Sequence, residues 1–353
     1  MPANSLVDVE LEEGWTVVSK VTLESGGTGG HFSIGYNVKN KNGDVGFLKA
    51  LNMAGAFHNQ DVIGALKEVL DEYTFERDLY LKCKEKKLKR VVTPIGSGET
   101  VVDGFPAPFN KVSYIIFELA VGNLRSSKVD SFKMPLSWKL RIIHNVTLGM
   151  NQLHSVGIAH QDMKPSNVLV FDENRWKHKR TAKITDLGRA SDAATPFKYD
   201  AFKFAGDMSY APLDRVYTST PSVQSFQQRV GSDLYMLGSI VYFLFNKVKL
   251  TTSMIEKIKK PNFSAIKHSN FDADLPYLQL AFDECLMDFK ADNQDECDFL
   301  IDDVVQLIRE LSNPDPSERG VKSIKNNLQA QYDLQRYVSK LDLLSLKAEI
   351  KGL

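Results

Sequence analysis

Long apolar runs are missing from this 353-residue sequence. No stretch reaches the roughly 18 apolar residues that a membrane-spanning helix needs, and the acidic opening MPANSLVDVELEEGW lacks the apolar run of a signal peptide. Only three cysteines occur, and none stands in a CxxC pair. This odd count favours free thiols in a reducing compartment over a metal site or a disulfide framework. We therefore expect no membrane segment and a cytoplasmic location.

An excess of charge of either sign is also missing, because Lys plus Arg and Asp plus Glu both number 44. A neutral total gives no support for nucleic acid or an anionic membrane as the main partner. Apolar residues are plentiful at 43%, against 25% charged residues, which is typical of a globular chain. The length favours two domains or one large bilobal domain.

The first third of the chain predicts a β-rich region with one helix. Strands are predicted over Trp15 to Leu23 and in the segments HFSIGYNVKN, DVGFLKAL, RVVTPIGSGET and VSYIIFELA. The tetrapeptide NKNG between the second and third strands is typical of a hairpin turn. Apolar residues recur near the 3.6-residue period from Asp61 to about Glu85, which indicates a helix.

The remainder predicts a larger helical region, so the fold class is α+β. Helices are expected in SWKLRIIHNVTLGMNQLHSVG, over Asp233 to Phe245, Tyr277 to Phe289 and Phe299 to Leu311, and in a tail from about Ser323 to Leu353. The tail has apolar residues at near-helical spacing. Packing on the larger region and docking or dimerisation through this helix both stay open.

The segment HQDMKPSN, followed by a strand that ends in TDLG, contains the residues with the clearest chemistry. It brings together the polar residues Asp162, Lys164, Asn167 and Asp186. A carboxylate and a carboxamide that converge are good Mg²⁺ ligands, because this ion takes hard oxygens and shares its shell with phosphates. A second carboxylate can accept a proton, and a lysine can neutralise a phosphoryl group in transfer.

This combination resembles the eukaryotic-type protein kinases, with Ser/Thr-kinase-like features, from about Trp15 to about Gly320. The resemblance implies a bilobal kinase domain with an N-lobe over 15–119, a C-lobe over 120–320 and a helical tail over 321–353. It also implies transfer of the γ-phosphoryl group of MgATP to Ser/Thr hydroxyls of protein substrates, including the kinase itself. ATP and Mg²⁺ are the implied cofactors.

The resemblance assigns a role to each residue of the segment. Asp162 matches the aspartate that orients the substrate hydroxyl and takes its proton, and Lys164 matches the lysine that contacts the γ-phosphate. Asn167 and Asp186 match the two metal ligands. Because tyrosine kinases lack the lysine, Lys164 favours Ser/Thr substrates, and tyrosine stays open as an additional acceptor.

The same resemblance places an ATP-binding lysine on the third strand. Lys49, in GFLKAL, matches the lysine that pairs with the α- and β-phosphates. Its acidic partner is expected on the following helix, and Glu76 is the preferred choice. Glu72 and Glu68 lie one and two turns earlier and stay open.

The segment GGTGGHFSIGY resembles the phosphate-covering loop only loosely, with Gly27, Gly29 and Gly30 as the candidate ATP-binding residues. If Gly27 and Gly29 form the first pair, Phe32 stands at the third glycine position. If Phe32 is instead the loop aromatic, Ser33 takes that position. Glycines here would let backbone N–H groups approach phosphate.

YIIFELAVGNL resembles the hinge between the kinase lobes. Phe117 matches the gatekeeper position behind the adenine. The backbone groups of Glu118 and Ala120 match those that bind the base.

Other matches and departures concern the large lobe. Asp214 and Arg319 match the family's paired acid and arginine, and Asp233 matches the aspartate that holds the catalytic loop. Gln161 replaces the arginine that in many members meets a phosphate on the activation loop, so we expect no requirement for such a phosphate through this residue. Asp207 stands where Ser/Thr kinases usually carry threonine.

Two other functions stay open. A small-molecule phosphotransferase of the aminoglycoside type shares the HxDxxxxN arrangement but usually has glycine at position 161 and lacks the Lys-Pro pair. A nucleotide-binding pseudokinase scaffold is favoured by the loose glycine-loop match. It is disfavoured by the presence of Lys49, Asp162, Asn167 and Asp186.

Overall fold

The structure is a computed structural model that describes residues 1–22, 33–107, 109–126, 128–130, 133–174, 179–200, 202, 204–217, 223–258, 270–321 and 327–353. The predicted loop glycines Gly27, Gly29 and Gly30 lie outside the described residues. The chain forms two compact units. The first comprises Met1–Val121 with Thr185–Gly188, and the second comprises Gly122–Ile184 with Arg189–Leu353.

A five-stranded antiparallel sheet forms the centre of the first unit, in the order β1-β2-β3-β5-β4. Its strands are β1 Trp15–Lys20, β2 Ser33–Asn40, β3 Val45–Leu51, β4 Pro94–Val101 and β5 Lys111–Glu118. The predicted NKNG turn joins β2 to β3, where Gly43 adopts a left-handed φ of 89°. Glycine reaches this conformation without the steric cost that a Cβ would add.

One long helix follows the third strand, as the apolar period predicts. It is α1, Val62–Glu85, and a short 3₁₀ turn at Ala54–His58 precedes it. The Asp61 side chain caps α1 by accepting a hydrogen bond from the Gly64 N–H at 2.9 Å. This satisfies one of the donors that a helix N-terminus leaves unpaired.

Residues before the first strand are also part of the first unit, although the predicted kinase domain began at residue 15. Ala3, Leu6 and Leu11 are buried against the sheet. The hydroxyl of buried Tyr36 donates to the Ala3 carbonyl at 2.6 Å. The first 14 residues therefore cover apolar side chains of the sheet that would otherwise contact water.

The second unit contains two small sheets and the remaining helices. A three-stranded sheet has the order β6-β8-β9 and a two-stranded sheet pairs β7 with β10. These strands are β6 Gly122–Asn123, β7 Ile158–Ala159, β8 Val168–Asn174, β9 Lys179–Ile184 and β10 Ser191–Asp192. The described helices are α2 Leu136–Ser155, α3 Leu213–Val216, α4 Phe226–Asn246, α5 Leu250–Lys257, α6 Phe271–Asp292, α7 Gln294–Cys297, α8 Ile301–Leu311, α9 Leu328–Gln331 and α10 Gln335–Lys351.

Helix α4 is the central helix of the second unit, and it begins seven residues before the predicted start at Asp233. Ser225 and Gln228 form a reciprocal capping box: the Gln228 N–H donates to Ser225 Oγ at 3.2 Å, and the Ser225 N–H donates to Gln228 Oε1 at 2.9 Å. Every residue from Arg229 to Phe245 is buried, as in a helix surrounded by protein on all sides.

The C-terminal tail packs within the second unit. Arg141 on α2 donates to the Asp342 carboxylate on α10 at 2.7 Å, and the Ser137 N–H donates to the Leu353 carbonyl at 3.1 Å. The opposite face of α10 leaves Leu343, Leu346 and Ile350 exposed. Docking or dimerisation through this helix stays a prediction.

The predicted α+β class is confirmed, with a β-rich first unit and a helical second unit. The boundary between them falls after Val121 rather than after residue 119. Helix α5 at Leu250–Lys257 was not predicted, because eight residues give too few turns for a clear apolar period. Within the described part of the chain, no helix combines the length and apolar character needed to cross a membrane.

Candidate active site

Lys49 and Glu76 form an ion pair in the first unit. Lys49 lies on β3 and Glu76 on α1, and the Lys49 Nζ donates to both carboxylate oxygens of Glu76 at 2.6 and 2.7 Å. Glu76 was the preferred partner among three glutamates on this helix. The structure therefore places the predicted acid beside the predicted lysine, whereas their contact with ATP stays a prediction.

Negative charge exceeds positive charge around this pair. Burial lowers the Lys49 pKa, but the carboxylates of Glu76, Asp186 and Glu72 outweigh it, so the pKa is raised. Burial and the nearby Asp186 carboxylate also raise the pKa of Glu76, in spite of Lys49. The Lys49 ammonium group therefore stays charged beside these carboxylates, whereas burial is the main cause of the Glu76 shift.

Asp186 has an unusual backbone conformation in the first unit. Its φ is 65°, in the left-handed region that residues other than glycine seldom occupy. Its N–H donates to the hydroxyl oxygen of buried Tyr80 at 2.8 Å. Sequence reasoning missed Tyr80, although its position one turn after Glu76 places both side chains on the same face of α1.

The predicted hinge residues lie at the end of β5. Glu118 is the last residue of this strand and pairs with Gly46 of β3. Ala120 lies two residues further along the same unit. Phe117, the predicted gatekeeper, is buried and contacts the Tyr80 ring edge-on, with 5.0 Å between ring centroids. The adenine-binding role of Glu118 and Ala120 stays a prediction.

The predicted catalytic aspartate lies in a polar network of the second unit. Asp162 Oδ2 accepts from Lys164 Nζ at 2.8 Å and from Asn167 Nδ2 at 3.4 Å. Asp162 Oδ1 accepts from the Asp207 N–H at 2.7 Å. These donors fix the orientation of the Asp162 carboxylate.

Asn167 is oriented by the same loop. Its Nδ2 donates to the Asp162 carbonyl at 2.8 Å. The amide nitrogen therefore faces the catalytic loop, and the carbonyl oxygen is the end of this side chain that can ligate a cation. Asn167 belongs to the second unit and Asp186 to the first.

Buried Asp233 supports the loop from α4. Its Oδ2 accepts from the His160 N–H and from His154 Nε2, both at 2.8 Å. Its Oδ1 accepts from the Gln161 N–H at 2.8 Å. The predicted support of the loop by Asp233 is confirmed, and His154 is an additional contact that the sequence did not indicate.

Gly206 and Asp207 approach the catalytic loop closely. A Cβ on Gly206 would lie 2.3 Å from the Gln161 carbonyl oxygen and 2.7 Å from Asp162 Oδ1, so only glycine fits there. Burial opposes ionisation of the Asp207 carboxyl, but hydrogen bonds from Ser209 and the charges of Lys249 and Lys164 lower its pKa. The acid that replaces threonine is thus held as a carboxylate.

Gln161 does not face solvent, and its side chain is directed towards α4. Its φ of 63° is left-handed, and its Nε2 donates to the Arg229 carbonyl at 2.8 Å and to Asp233 Oδ1 at 3.1 Å. The Arg229 side chain donates to Asp200 Oδ1 at 2.8 Å and stacks over the Phe197 ring. A carboxylate of the segment between Asp186 and Asp214 is therefore already paired with an arginine of α4.

The predicted ion pair of the large lobe is present. Arg319 Nη2 donates to Asp214 Oδ1 at 3.0 Å. Arg319 Nε donates to the Asn313 carbonyl at 3.1 Å, and Nη1 donates to the Gly231 carbonyl at 3.0 Å. The guanidinium is 1% exposed, while the Asp214 side chain is 18% exposed.

The donor chemistry of these residues fits Mg²⁺ better than a transition metal. Among the described residues, no cluster of three or more His, Cys, Asp or Glu has a geometry that could hold a metal ion alone. Mg²⁺ typically binds through one or two protein oxygens and completes its shell with water and substrate phosphates. Asp186 in the first unit and Asn167 in the second unit each carry an oxygen donor of this kind.

Comparison with known proteins agrees with this chemistry. The chain is 24% identical over 189 residues to the serine/threonine-protein kinase/endoribonuclease IRE1 of Oryza sativa subsp. japonica, which covers 53% of this chain and 17% of that protein. It is 26% identical over 172 residues to the serine/threonine-protein kinase SBK1 of Danio rerio, covering 46% and 42%. It is 28% identical over 138 residues to a probable serine/threonine-protein kinase PknB of Lactococcus lactis, covering 38% and 20%.

The chain thus matches less than half the length of each of these relatives. The model of the protein kinase domain matches residues 25–332, which include the catalytic loop, the Lys49–Glu76 pair and the Asp214–Arg319 pair. On this match, the chain belongs to the protein kinase family.

Proposed function

We propose that this protein transfers the γ-phosphoryl group of ATP to serine and threonine hydroxyls of protein substrates, in a reaction that requires Mg²⁺. The observation that carries the proposal is the Asp162 carboxylate, which three donors hold in one orientation: the Lys164 ammonium, the Asn167 amide and the Asp207 N–H. A carboxylate of this kind is suited to orient a hydroxyl group and to accept its proton.

The proposed chemistry assigns one task to each group of residues. The hydroxyl oxygen of the substrate bonds to the γ-phosphorus, and Asp162 accepts the hydroxyl proton. At the same time the bond between the γ-phosphorus and the β–γ bridging oxygen breaks, and ADP leaves. Lys164, whose Nζ already contacts the Asp162 carboxylate at 2.8 Å, neutralises charge on the transferring group. Bound Mg²⁺ would screen the phosphate charges, with Asn167 and Asp186 as its protein ligands.

The first unit supplies the nucleotide-binding residues in this proposal. Lys49 would bind the α- and β-phosphates, and Glu76 keeps its ammonium group fixed and charged. The backbone of Glu118 and Ala120 would bind the adenine. Glu118 is the last residue of β5 and pairs with Gly46 of β3, so the position of its backbone is fixed by the sheet, and Ala120 follows two residues later.

Serine and threonine are the proposed acceptors. This choice is supported by Lys164 beside Asp162 and by the names of the relatives, which are serine/threonine-protein kinases. Phosphoamino-acid analysis of a labelled protein substrate distinguishes serine and threonine from tyrosine.

The test compares the wild type with Asp162→Asn and with a matched control, Asp172→Asn. Asp172 is a half-exposed aspartate of β8 that pairs with Arg180 at 3.3 Å. We expect Asp162→Asn to lower the rate of labelled phosphate transfer by about 10²–10⁴-fold while it binds ATP with near-normal affinity. The control should keep the wild-type rate.

Other outcomes would favour the alternatives. If the wild type and Asp162→Asn both bind ATP and neither transfers phosphate to the protein substrate, the protein is a pseudokinase scaffold. Transfer to aminoglycosides or sugars but not to proteins would indicate a small-molecule phosphotransferase. Near-normal transfer by Asp162→Asn would refute the role of Asp162.

We also propose a cytoplasmic location for this protein. The support is that Cys83, Cys285 and Cys297 are buried and that none of these three described residues forms a disulfide, as expected in a reducing compartment. Cell fractionation of the expressed full-length protein tests it, and recovery from the secreted or membrane fraction would contradict it.

A further inference from the structure

The Tyr80 hydroxyl joins helix α1 to two consecutive residues of the first unit, Thr185 and Asp186. Tyr80 lies on α1, one turn after Glu76, and is 2% exposed. Its hydroxyl oxygen accepts from the Asp186 N–H at 2.8 Å and lies 3.2 Å from Thr185 Oγ1.

The hydrogen-bonding capacity of a phenol fixes the roles in this arrangement. A tyrosine hydroxyl has a single hydrogen to donate, and its oxygen can accept. Because the Asp186 N–H can only donate, the Tyr80 oxygen is the acceptor there. The single hydrogen is then available for Thr185 Oγ1, which lies 3.2 Å away. The hydroxyl therefore links helix α1, which also carries the acid that pairs with Lys49, to the backbone of Asp186.

Asp186 needs such a link because its backbone is strained. A residue with a Cβ at a φ of 65° carries a conformational cost that the surroundings must offset. Local hydrogen bonds such as the one from its N–H to Tyr80 help to hold it there. Without an acceptor, that part-buried N–H would lose its hydrogen bond to Tyr80, and the left-handed conformation would lose support.

The ring of Tyr80 has a separate packing role. It contacts the Phe117 ring edge-on at a centroid distance of 5.0 Å and an interplanar angle of 62°. Phenylalanine at position 80 can keep this contact while lacking only the oxygen. The two roles of the side chain can therefore be separated by a single substitution.

We propose that the Tyr80 hydroxyl is a positioning group that holds Asp186 in its left-handed conformation and couples helix α1 to the metal-binding carboxylate. The inference that the Asp186 backbone conformation affects metal binding rests on the proposed function, in which the Asp186 carboxylate binds Mg²⁺. Tyr80 itself touches neither nucleotide nor metal in this scheme. It acts through Asp186, so loss of the hydroxyl should weaken the Mg²⁺-dependent part of nucleotide binding.

The first experiment measures amide hydrogen exchange of Asp186 in the full-length wild type, in Tyr80→Phe and in Tyr36→Phe. Tyr36 is the matched control, because it is a fully buried tyrosine of the same unit whose hydroxyl donates to the Ala3 carbonyl. We expect exchange at Asp186 to become about three- to tenfold faster in Tyr80→Phe only, in line with the net value of one hydrogen bond. Unchanged exchange in a folded Tyr80→Phe protein would overturn the proposal.

The second experiment measures the dissociation constant of ATP in excess Mg²⁺ and in EDTA for the same proteins. Mg²⁺ should increase the ATP affinity of the wild type by a certain factor, and we expect this factor to be about three- to tenfold smaller in Tyr80→Phe. The dissociation constant in EDTA should stay at the wild-type value. A general loss of stability would weaken both constants alike. If exchange increases but the effect of Mg²⁺ is unaltered, the coupling to the metal is refuted.

Failure of the proposed function has a different signature. A wild type whose ATP affinity does not respond to Mg²⁺ would contradict the assignment of Asp186 as a metal ligand. The exchange experiment would still decide whether Tyr80 holds the Asp186 backbone, since it needs neither nucleotide nor metal.

Discussion

Replacement of Arg319 by alanine should destabilise the second unit strongly. The guanidinium is 1% exposed and donates three hydrogen bonds, to Asp214, to the Asn313 carbonyl and to the Gly231 carbonyl. It also lies over the Tyr235 ring at 5.3 Å. Alanine would leave two backbone carbonyls and one carboxylate without these donors and would open a cavity in their midst.

The expected magnitude follows from the burial of the two partners. Removal of one member of a buried ion pair costs about 3–5 kcal/mol. Asp214 is 18% exposed, so water can solvate part of its carboxylate once the arginine is gone. We therefore expect a loss near the lower end of that range, about 3 kcal/mol in the free energy of unfolding.

Urea unfolding followed by far-ultraviolet circular dichroism measures this loss. The matched control is Arg309→Ala, which removes an arginine that is 41% exposed from its ion pair with Asp283. An exposed pair of this kind contributes about 0–1 kcal/mol. A double-mutant cycle of Arg319→Ala with Asp214→Asn then isolates the contribution of the pair itself from that of the two carbonyl contacts.

Two results would refute this reasoning. If Arg319→Ala loses no more stability than Arg309→Ala, the buried contacts contribute little. If the cycle yields no coupling between Arg319 and Asp214, the ion pair is not part of the effect, and the carbonyl contacts account for the whole loss.

Three further predictions concern other parts of the chain. Gly206→Ala should reduce phosphate transfer by at least about tenfold, because the new Cβ would lie 2.7 Å from Asp162 Oδ1 and displace it, and a rise of about 1.4 kcal/mol in the activation free energy already lowers the rate tenfold. Kinetics at saturating ATP check this, and full activity would contradict it. Phosphatase-treated protein, verified by mass spectrometry, should keep its initial rate on an added substrate, because Asp200 already pairs with Arg229; a tenfold fall that rephosphorylation restores would refute this. Burial raises the pKa values of Cys285 and Cys297 to about 12, so iodoacetamide at neutral pH should label these thiols only after unfolding; rapid labelling of the native protein would show that they are accessible thiolates.

Much of the fold was predictable because its causes are local. Alternating and 3.6-residue apolar patterns indicated the strands of the first unit and helix α1, and the NKNG turn joined β2 to β3 as expected. The helix bounds were less accurate. Helix α4 begins at Phe226, seven residues before the predicted start at Asp233, because Ser225 and Gln228 form a capping box. The Ser and Gln of this box are a local signal in the sequence.

The candidate site was predictable where one residue type is needed at one spacing. The segment HQDMKPSN identified Asp162, Lys164 and Asn167, and the structure joins these three by hydrogen bonds within one loop. In the sequence, Glu76 is preferred over Glu68 and Glu72 because apolar residues follow it before the next strand. The structure decides it through the contact with Lys49, which depends on how α1 lies against the sheet.

The remaining features depend on partners that are distant in the chain. The Tyr80 hydroxyl meets the Asp186 N–H across 106 positions, and Arg319 meets Asp214 across 105. The pairing of Arg229 with Asp200 and the inward turn of Gln161 likewise require α4 and the loop to be packed together. Periodicity and motif spacing report what a residue does within a few turns of its own backbone. Which buried donor meets which acceptor is decided only when the folded chain excludes water and each of these groups must find a partner within reach.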